Sequence, residues 1–145
     1  MTDSMAKRYV AAGAVLFLLG LLTGFVIPAF TNPRMGLASH LEGVMNGTFL
    51  VALGAAWRWV SLAPRLELLA FWLVLYGSFA NWFFVSLAAI LGTSETTPIA
   101  GAGYEGAALQ EQIVSIGLVS VGLTMVLGIA IVVYGLFSRG GDGHH

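Results

Sequence analysis

Four long apolar stretches separated by polar breaks run along the chain. The first extends from Tyr9 to Phe30 without a charge. The second, from about Leu41 to Trp57, is the least apolar. The third covers Leu66 to Leu91 and the fourth Ile113 to Phe137. Each approaches or exceeds the roughly 20 residues that carry a helix across a hydrocarbon core. The pattern predicts an all-α membrane protein: a single domain over residues 1–145, built as a four-helix transmembrane bundle. Lys7 and Arg8 precede the first stretch, as in a signal peptide, but the apolar run exceeds the about 7–15 residues of a signal core. Arg58, Ser61, Pro64 and Arg65 mark a short turn between the second and third spans. Residues 92–111 read as a polar, glycine-rich loop.

Basic residues set the expected orientation. Lys7, Arg8, Arg58, Arg65 and Arg139 fall on one side of such a bundle, and Arg34 alone on the other. Cytoplasmic segments carry the excess of Lys and Arg, so both termini are expected in the cytoplasm. A multi-pass membrane protein follows. Trp57 and Trp59 fall at the expected inner interface, where amphipathic rings are favoured.

Composition narrows the chemistry. Of 145 residues, 58% are hydrophobic and 9% charged, against about a quarter charged in a soluble domain. The net charge of −1 leaves no basic surface for nucleic acid. With no cysteine, disulfides, thiolate metal sites, iron–sulfur clusters and a cysteine nucleophile are excluded. Metal chemistry has to use histidine, carboxylate or an organic cofactor. His144 and His145 end a low-complexity tail and are read as a terminus rather than as ligands.

Polar residues within a span are costly and mark candidate function. The second span concentrates them: Ser39 and His40 at its mouth, then Glu42 and Asn46. The third adds Tyr76, Ser78, Asn81 and Ser86, and the fourth Ser115, Ser120, Thr124 and Tyr134. Hydroxyls in such positions mostly bond within their own helix or to a neighbour. His40 has two readings: an interfacial residue bonded to a carbonyl or to Glu42, or an axial ligand to a haem iron through its neutral imidazole. Glu42 also has two: a structural ion pair with Arg34, or a carboxyl group that moves protons. At about 100° per residue, Glu42 and Asn46 share one helix face, while His40 lies about 120° from Asn46. One helix thus presents two polar faces, suited to a site with its own bundle on one side and a neighbouring subunit on the other. The small-xxx-small pairs Gly20/Gly24 and Gly43/Gly47 are compatible with helix association.

The stretch Asn32-Pro33-Arg34-Met35-Gly36-Leu37-Ala38-Ser39-His40-Leu41-Glu42-Gly43-Val44-Met45-Asn46-Gly47 closely resembles the hydroxylaminobenzene mutase family, small bacterial membrane enzymes of nitroaromatic degradation. The likeness extends upstream through Leu19-Gly20-Leu21-Leu22-Thr23-Gly24 and into the third span. A more distant resemblance is to the styrene oxide isomerase family, also of four membrane helices. That family has a histidine followed six residues later by Asn-Gly, as His40 and Asn46-Gly47 stand here, and an Ala-Asn pair on its third helix, as Ala80-Asn81 stand here. This second resemblance implies a homotrimer with haem b at its subunit interfaces, His40 as axial ligand and ferric iron as Lewis acid. A tyrosine that helps hold the substrate in that family corresponds to Val85, which argues against epoxide chemistry.

The resemblances together imply a membrane isomerase that converts N-arylhydroxylamines such as hydroxylaminobenzene to 2-aminophenols without net oxidation. They imply His40 as the haem ligand; Asn46 and Asn81 are then the candidate hydrogen-bonding partners of the small aromatic substrate, and Glu42 is either a proton shuttle or a member of a structural pair. Phe79, Trp82 and Phe83 are candidates to pack the aryl ring, although aromatic side chains are also ordinary packing material. Two other classes stay open: a proton-coupled exporter dependent on Glu42, and a haem electron carrier, which needs a second axial ligand that one chain's body lacks.

Overall fold

In the computed structural model, which describes residues 2–138, four α-helices follow one another: α1 (Thr2–Val26), α2 (Pro33–Ala56), α3 (Pro64–Leu91) and α4 (Ala108–Phe137). No strand occurs among the described residues. Arg139, His144 and His145 lie outside them.

Local signals set the helix ends. Pro28, which lacks an amide hydrogen, stops α1, and a 3-10 turn over Ile27–Ala29 leads the chain away. Asn32 then caps α2: its Oδ1 accepts the amides of Arg34 at 3.1 Å and Met35 at 3.2 Å, with Pro33 in the first helical position. The helix therefore begins well before the apolar run that starts at Leu41. Ser39 and His40 lie about two turns inside α2, not at its mouth. The first helix likewise begins before Tyr9, at Thr2, and α4 begins at Ala108, so Glu111 belongs to a helix rather than to the loop. At the end of α3, Gly92 adopts φ 71° and its amide closes on the Ala88 carbonyl at 2.8 Å.

The helices pack as an antiparallel row: α1 on α2, α2 on α3 and α3 on α4, with a smaller contact between α1 and α3. The α1/α2 seam is made of glycine. A Cβ at Gly20 would lie 2.5 Å from the Val44 nitrogen, and one at Gly43 would lie 2.5 Å from the Gly20 Cα. Gly13 meets the Gly47 carbonyl in the same way, at 2.6 Å. The small-residue pairs are therefore used up inside the chain and offer no surface for a second copy.

Two apolar clusters fill the row. At the end where the chain begins, Tyr9, Leu16, Leu50, Trp57, Phe71 and Val74 pack together. Near the 92–107 loop, Met35, Val85, Ala88, Ala89 and Val114 do so. Trp57 belongs to the first cluster, only 1% exposed, and its Nε1 donates to Glu67 Oε1 at 3.0 Å. It is a core residue and not the interfacial anchor expected. Trp59 is exposed and lies under the Arg58 guanidinium at 4.2 Å.

The loop between α3 and α4 is tied down. Glu111 accepts the amides of Ser94, Glu95 and Gly106 at 2.9–3.1 Å. Asn32 Nδ2 donates to Ala100 O at 3.0 Å and Arg34 Nη2 to Ala102 O at 2.6 Å. The cap thus joins the α1–α2 connection to the far pair of helices.

α1, α3 and α4 are each long and apolar enough to cross a membrane. α2, at 24 residues, has the length (about 36 Å at the usual rise) but not the apolarity, because Arg34, Ser39, His40, Glu42 and Asn46 interrupt it. It sits between α1 and α3, which cover much of its polar surface. The outward faces of the other three carry exposed Leu18, Phe25, Leu69, Ile116 and Val126, a surface suited to lipid.

Gly20→Val, which drives a branched side chain into the α2 backbone, is expected to destabilise the protein by about 1–3 kcal/mol or more. Gly122→Ala, where a Cβ meets nothing within 4 Å, should leave stability unchanged. Thermal unfolding in detergent checks the pair, and equal midpoints would refute the seam.

Candidate functional site

The polar residues of α2 divide between two neighbours, as its helical phase requires. Glu42 and Asn46 face α3. Glu42 Oε2 accepts Asn46 Nδ2 at 3.1 Å, one turn along the same helix, and Asn81 Nδ2 from α3 at 2.6 Å. The three residues singled out in the sequence for catalysis are thus brought into one cluster. All three are half-buried. Burying a carboxylate is costly unless donors meet it, and here two neutral amides do so. Oε1 of Glu42 and the Oδ1 atoms of both asparagines make no hydrogen bond among the described residues, so the cluster retains free acceptors.

Arg34 does not pair with Glu42. It sits two turns earlier, and its guanidinium goes to the Ala102 carbonyl instead. The ion-pair reading of Glu42 fails for that reason.

His40 faces α1. Its Nδ1 lies 2.7 Å from the Gly20 carbonyl, and that acceptor demands a hydrogen on Nδ1. The neutral ring then carries a lone pair on Nε2, which has no partner among the described residues. Gly24 makes room: a Cβ there would lie 2.9 Å from Nδ1. Metal-ligating histidines are held in this way, with the other ring nitrogen donating to a carbonyl or carboxylate. His40 therefore fits an axial ligand of a haem, which needs only one side chain from each chain. No group of three His, Cys, Asp or Glu side chains gathers for a bare ion among the described residues. Both polar faces of α2 are lined by this chain's own helices. Beside them runs a third, exposed face with Leu37, Leu41 and Met45.

Of the aromatic candidates, Trp82 is committed to structure. It crosses Gly43, and its Nε1 donates to Thr23 Oγ1 of α1 at 3.0 Å. Phe83 is exposed and packs edge-on against Phe84, while Phe79 is half-buried beside the first core cluster. Most of the hydroxyls behave as expected of membrane helices, while Ser78 Oγ is buried without a partner among the described residues. Thr23, Thr48, Ser86 and Thr124 donate to carbonyls one turn back, and Ser39 bonds to Ser86 across α2 and α3.

Sequence reasoning missed two features. Gly20 and Gly24 orient His40, a role that a small-residue pattern does not reveal. Glu67, a charge inside the third apolar stretch, is buried against Trp57 and was open to the same rule that marked Glu42.

The styrene oxide isomerase family profile matches residues 5–137. Hydroxylaminobenzene mutase HabB of Ectopseudomonas oleovorans is 45% identical over 139 residues, which cover 94% of this chain and 85% of that protein. Hydroxylaminobenzene mutase HabA of the same organism is 44% identical over 111 residues, covering 76% and 82%. No solved structure matches the chain. With three membrane-competent helices and this family membership, it is a membrane protein and an isomerase. The chain belongs to the styrene oxide isomerase family. Neither an exporter nor an electron carrier accounts for that membership.

Removing the carboxylate strands two amides. Glu42→Ala is expected to destabilise the protein by about 1–3 kcal/mol, and Glu42→Gln by less, because the glutamine carbonyl still accepts. Equal loss in the two variants, measured by thermal unfolding, would count against the bridging role.

Proposed function

We propose that this chain is a membrane-bound mutase that rearranges N-arylhydroxylamines, such as hydroxylaminobenzene, to 2-aminophenols without net redox change. One observation carries the reading: α2 holds His40 in its metal-ligating tautomer on one side and the Glu42–Asn46–Asn81 cluster on the other. The similarity to two hydroxylaminobenzene mutases supports the substrate class.

The reaction moves oxygen from nitrogen to the ortho carbon. That carbon loses a proton and the nitrogen gains one, so a single group able to accept and return a proton balances the step. Glu42, with Oε1 free, is that group. Asn46 and Asn81 each direct one amide N–H at Oε2. They offer their Oδ1 atoms to the substrate N–H and O–H and fix its orientation relative to Glu42. His40 would hold haem b through Nε2, and its bond to the Gly20 carbonyl keeps the ring in place and raises its basicity. Ferric haem, when bound, supplies Lewis acidity toward an oxygen leaving group, in place of the strong acid that the rearrangement needs in water. An apolar aryl substrate reaches such a site through the bilayer, into which it partitions.

All four helices span a bacterial inner membrane in this reading, with both termini in the cytoplasm. The assembly is a homotrimer in which the exposed α2 face beside His40, with Leu37, Leu41 and Met45, meets a neighbouring subunit. Epoxide isomerisation is the less favoured reaction. Val85, where the resemblance to styrene oxide isomerase implies a substrate-holding tyrosine, is buried in the apolar cluster with Met35 and Val114 and carries no hydroxyl.

Product analysis with hydroxylaminobenzene and styrene oxide, on protein whose absorbance spectrum is recorded first, tests the proposal. 2-Aminophenol should form from the first and little from the second. His40→Ala should abolish both the Soret band and turnover. A colourless, fully active protein would overturn the haem assignment. Asn46→Ala should keep the Soret band and lose at least about tenfold in turnover, the scale of one positioned hydrogen bond. Unchanged turnover would remove Asn46 from the site.

A further inference from the structure

The end of the bundle away from the 92–107 loop carries a second polar feature that the isomerase chemistry does not use. A cavity of about 410 Å³ opens between the starts of α1 and α3. Ser4 and Arg8, one turn apart on α1, form one wall, and Pro64, Arg65 and Leu68 of α3 form the other. Glu67 lines it as well. Glu67 is only 7% exposed, and its Oε1 is taken by Trp57 Nε1 at 3.0 Å. Its Oε2 has no hydrogen bond among the described residues. Arg8 and Arg65 are exposed and make no ion pair with it. A buried carboxylate with an open oxygen and two guanidiniums that make no ion pair among the described residues therefore share one pocket with an apolar wall.

We propose that this cavity binds the headgroup of a zwitterionic aminophospholipid, phosphatidylethanolamine. The guanidiniums of Arg8 and Arg65 hold the phosphate. The primary ammonium donates to Glu67 Oε2, and Leu68 lies along the start of the acyl chains. The charges decide between headgroups. A purely anionic headgroup brings no ammonium to Glu67 and leaves its Oε2 without a donor. A choline headgroup brings a cation with no N–H to donate. Only a primary amine on a phosphate satisfies both signs. Basic pockets between membrane helices at the cytoplasmic side are established headgroup sites, and the carboxylate adds the selectivity. The inference rests on the four-span reading, which puts this cavity at headgroup level, and is independent of the reaction proposed above.

The test is native mass spectrometry of the full-length protein, delipidated in detergent and offered equal amounts of phosphatidylethanolamine, phosphatidylglycerol and phosphatidylcholine with identical acyl chains. The wild type should retain phosphatidylethanolamine about tenfold over the other two, the scale of one charge-assisted hydrogen bond. Glu67→Gln keeps an acceptor for Trp57 and should fold normally, yet it should lower phosphatidylethanolamine to the level of phosphatidylcholine. The double variant Arg8→Ala/Arg65→Ala should lose all headgroup preference. Equal retention of the three lipids by the wild type, or a preference that survives either variant, would overturn the proposal. Soluble phosphoethanolamine that saturates the site as tightly as the lipid does would overturn the lipid assignment. Turnover and membrane fractionation, measured alongside, keep a failure here distinct from a failure of the mutase or of the spanning reading.

Discussion

α1 and α2 meet backbone to backbone, with Gly20 against Gly43 and Gly13 against Gly47, and the rest of the molecule is arranged around that contact. In a bilayer the apolar faces of helices gain little from leaving lipid, so close packing must supply the association. Glycine permits an approach that no other residue allows. At that distance the Gly20 carbonyl reaches His40, and Gly43 leaves a channel across which Trp82 of α3 bonds to Thr23 of α1. One seam thus sets the tautomer of the histidine and fastens a third helix to the first. A side chain at either glycine separates the helices and disturbs both effects together.

The molecule meets each of three half-buried or buried carboxylates with neutral N–H donors. Glu42 accepts two asparagine amides, Glu67 an indole, and Glu111 three backbone amides. Neutral donors compensate a carboxylate without burying a second charge, which would add its own desolvation cost. They also leave the basic residues uncommitted to these acids. Arg34 is thereby free to clasp the loop.

Much of this was legible in the sequence. The apolar runs marked the helices, and helical phase alone separated His40 from Glu42 and Asn46, which do face different neighbours. The start of α2 was not found by apolarity, because Arg34, Ser39 and His40 interrupt the run. Yet Asn32-Pro33 is a strong local capping signal that outranks the hydropathy of the turns after it. The glycine pairs were visible, but a small-residue pattern does not say whether its partner lies in the same chain or another. Trp57 shows the same limit: an amphipathic ring at a helix end suits the interface equally well as a core with an acceptor, and only the fold brings Glu67 to it. The pairing of Asn81 with Glu42, 39 residues apart, depends on the register of two antiparallel helices and has no local signature.

The polarity of α2 also bears on how the protein is made. A segment with an arginine, a histidine and a glutamate enters hydrocarbon poorly by itself, whereas α1 enters readily. On the four-span reading, α2 cannot wait in the translocation channel as an independent span. It has to move into the bilayer with α1 as a helical hairpin, the glycine seam already closed, and its remaining polar face stays open until α3 emerges and Asn81 arrives. The order of synthesis thus matches the order in which α2's polar groups acquire partners.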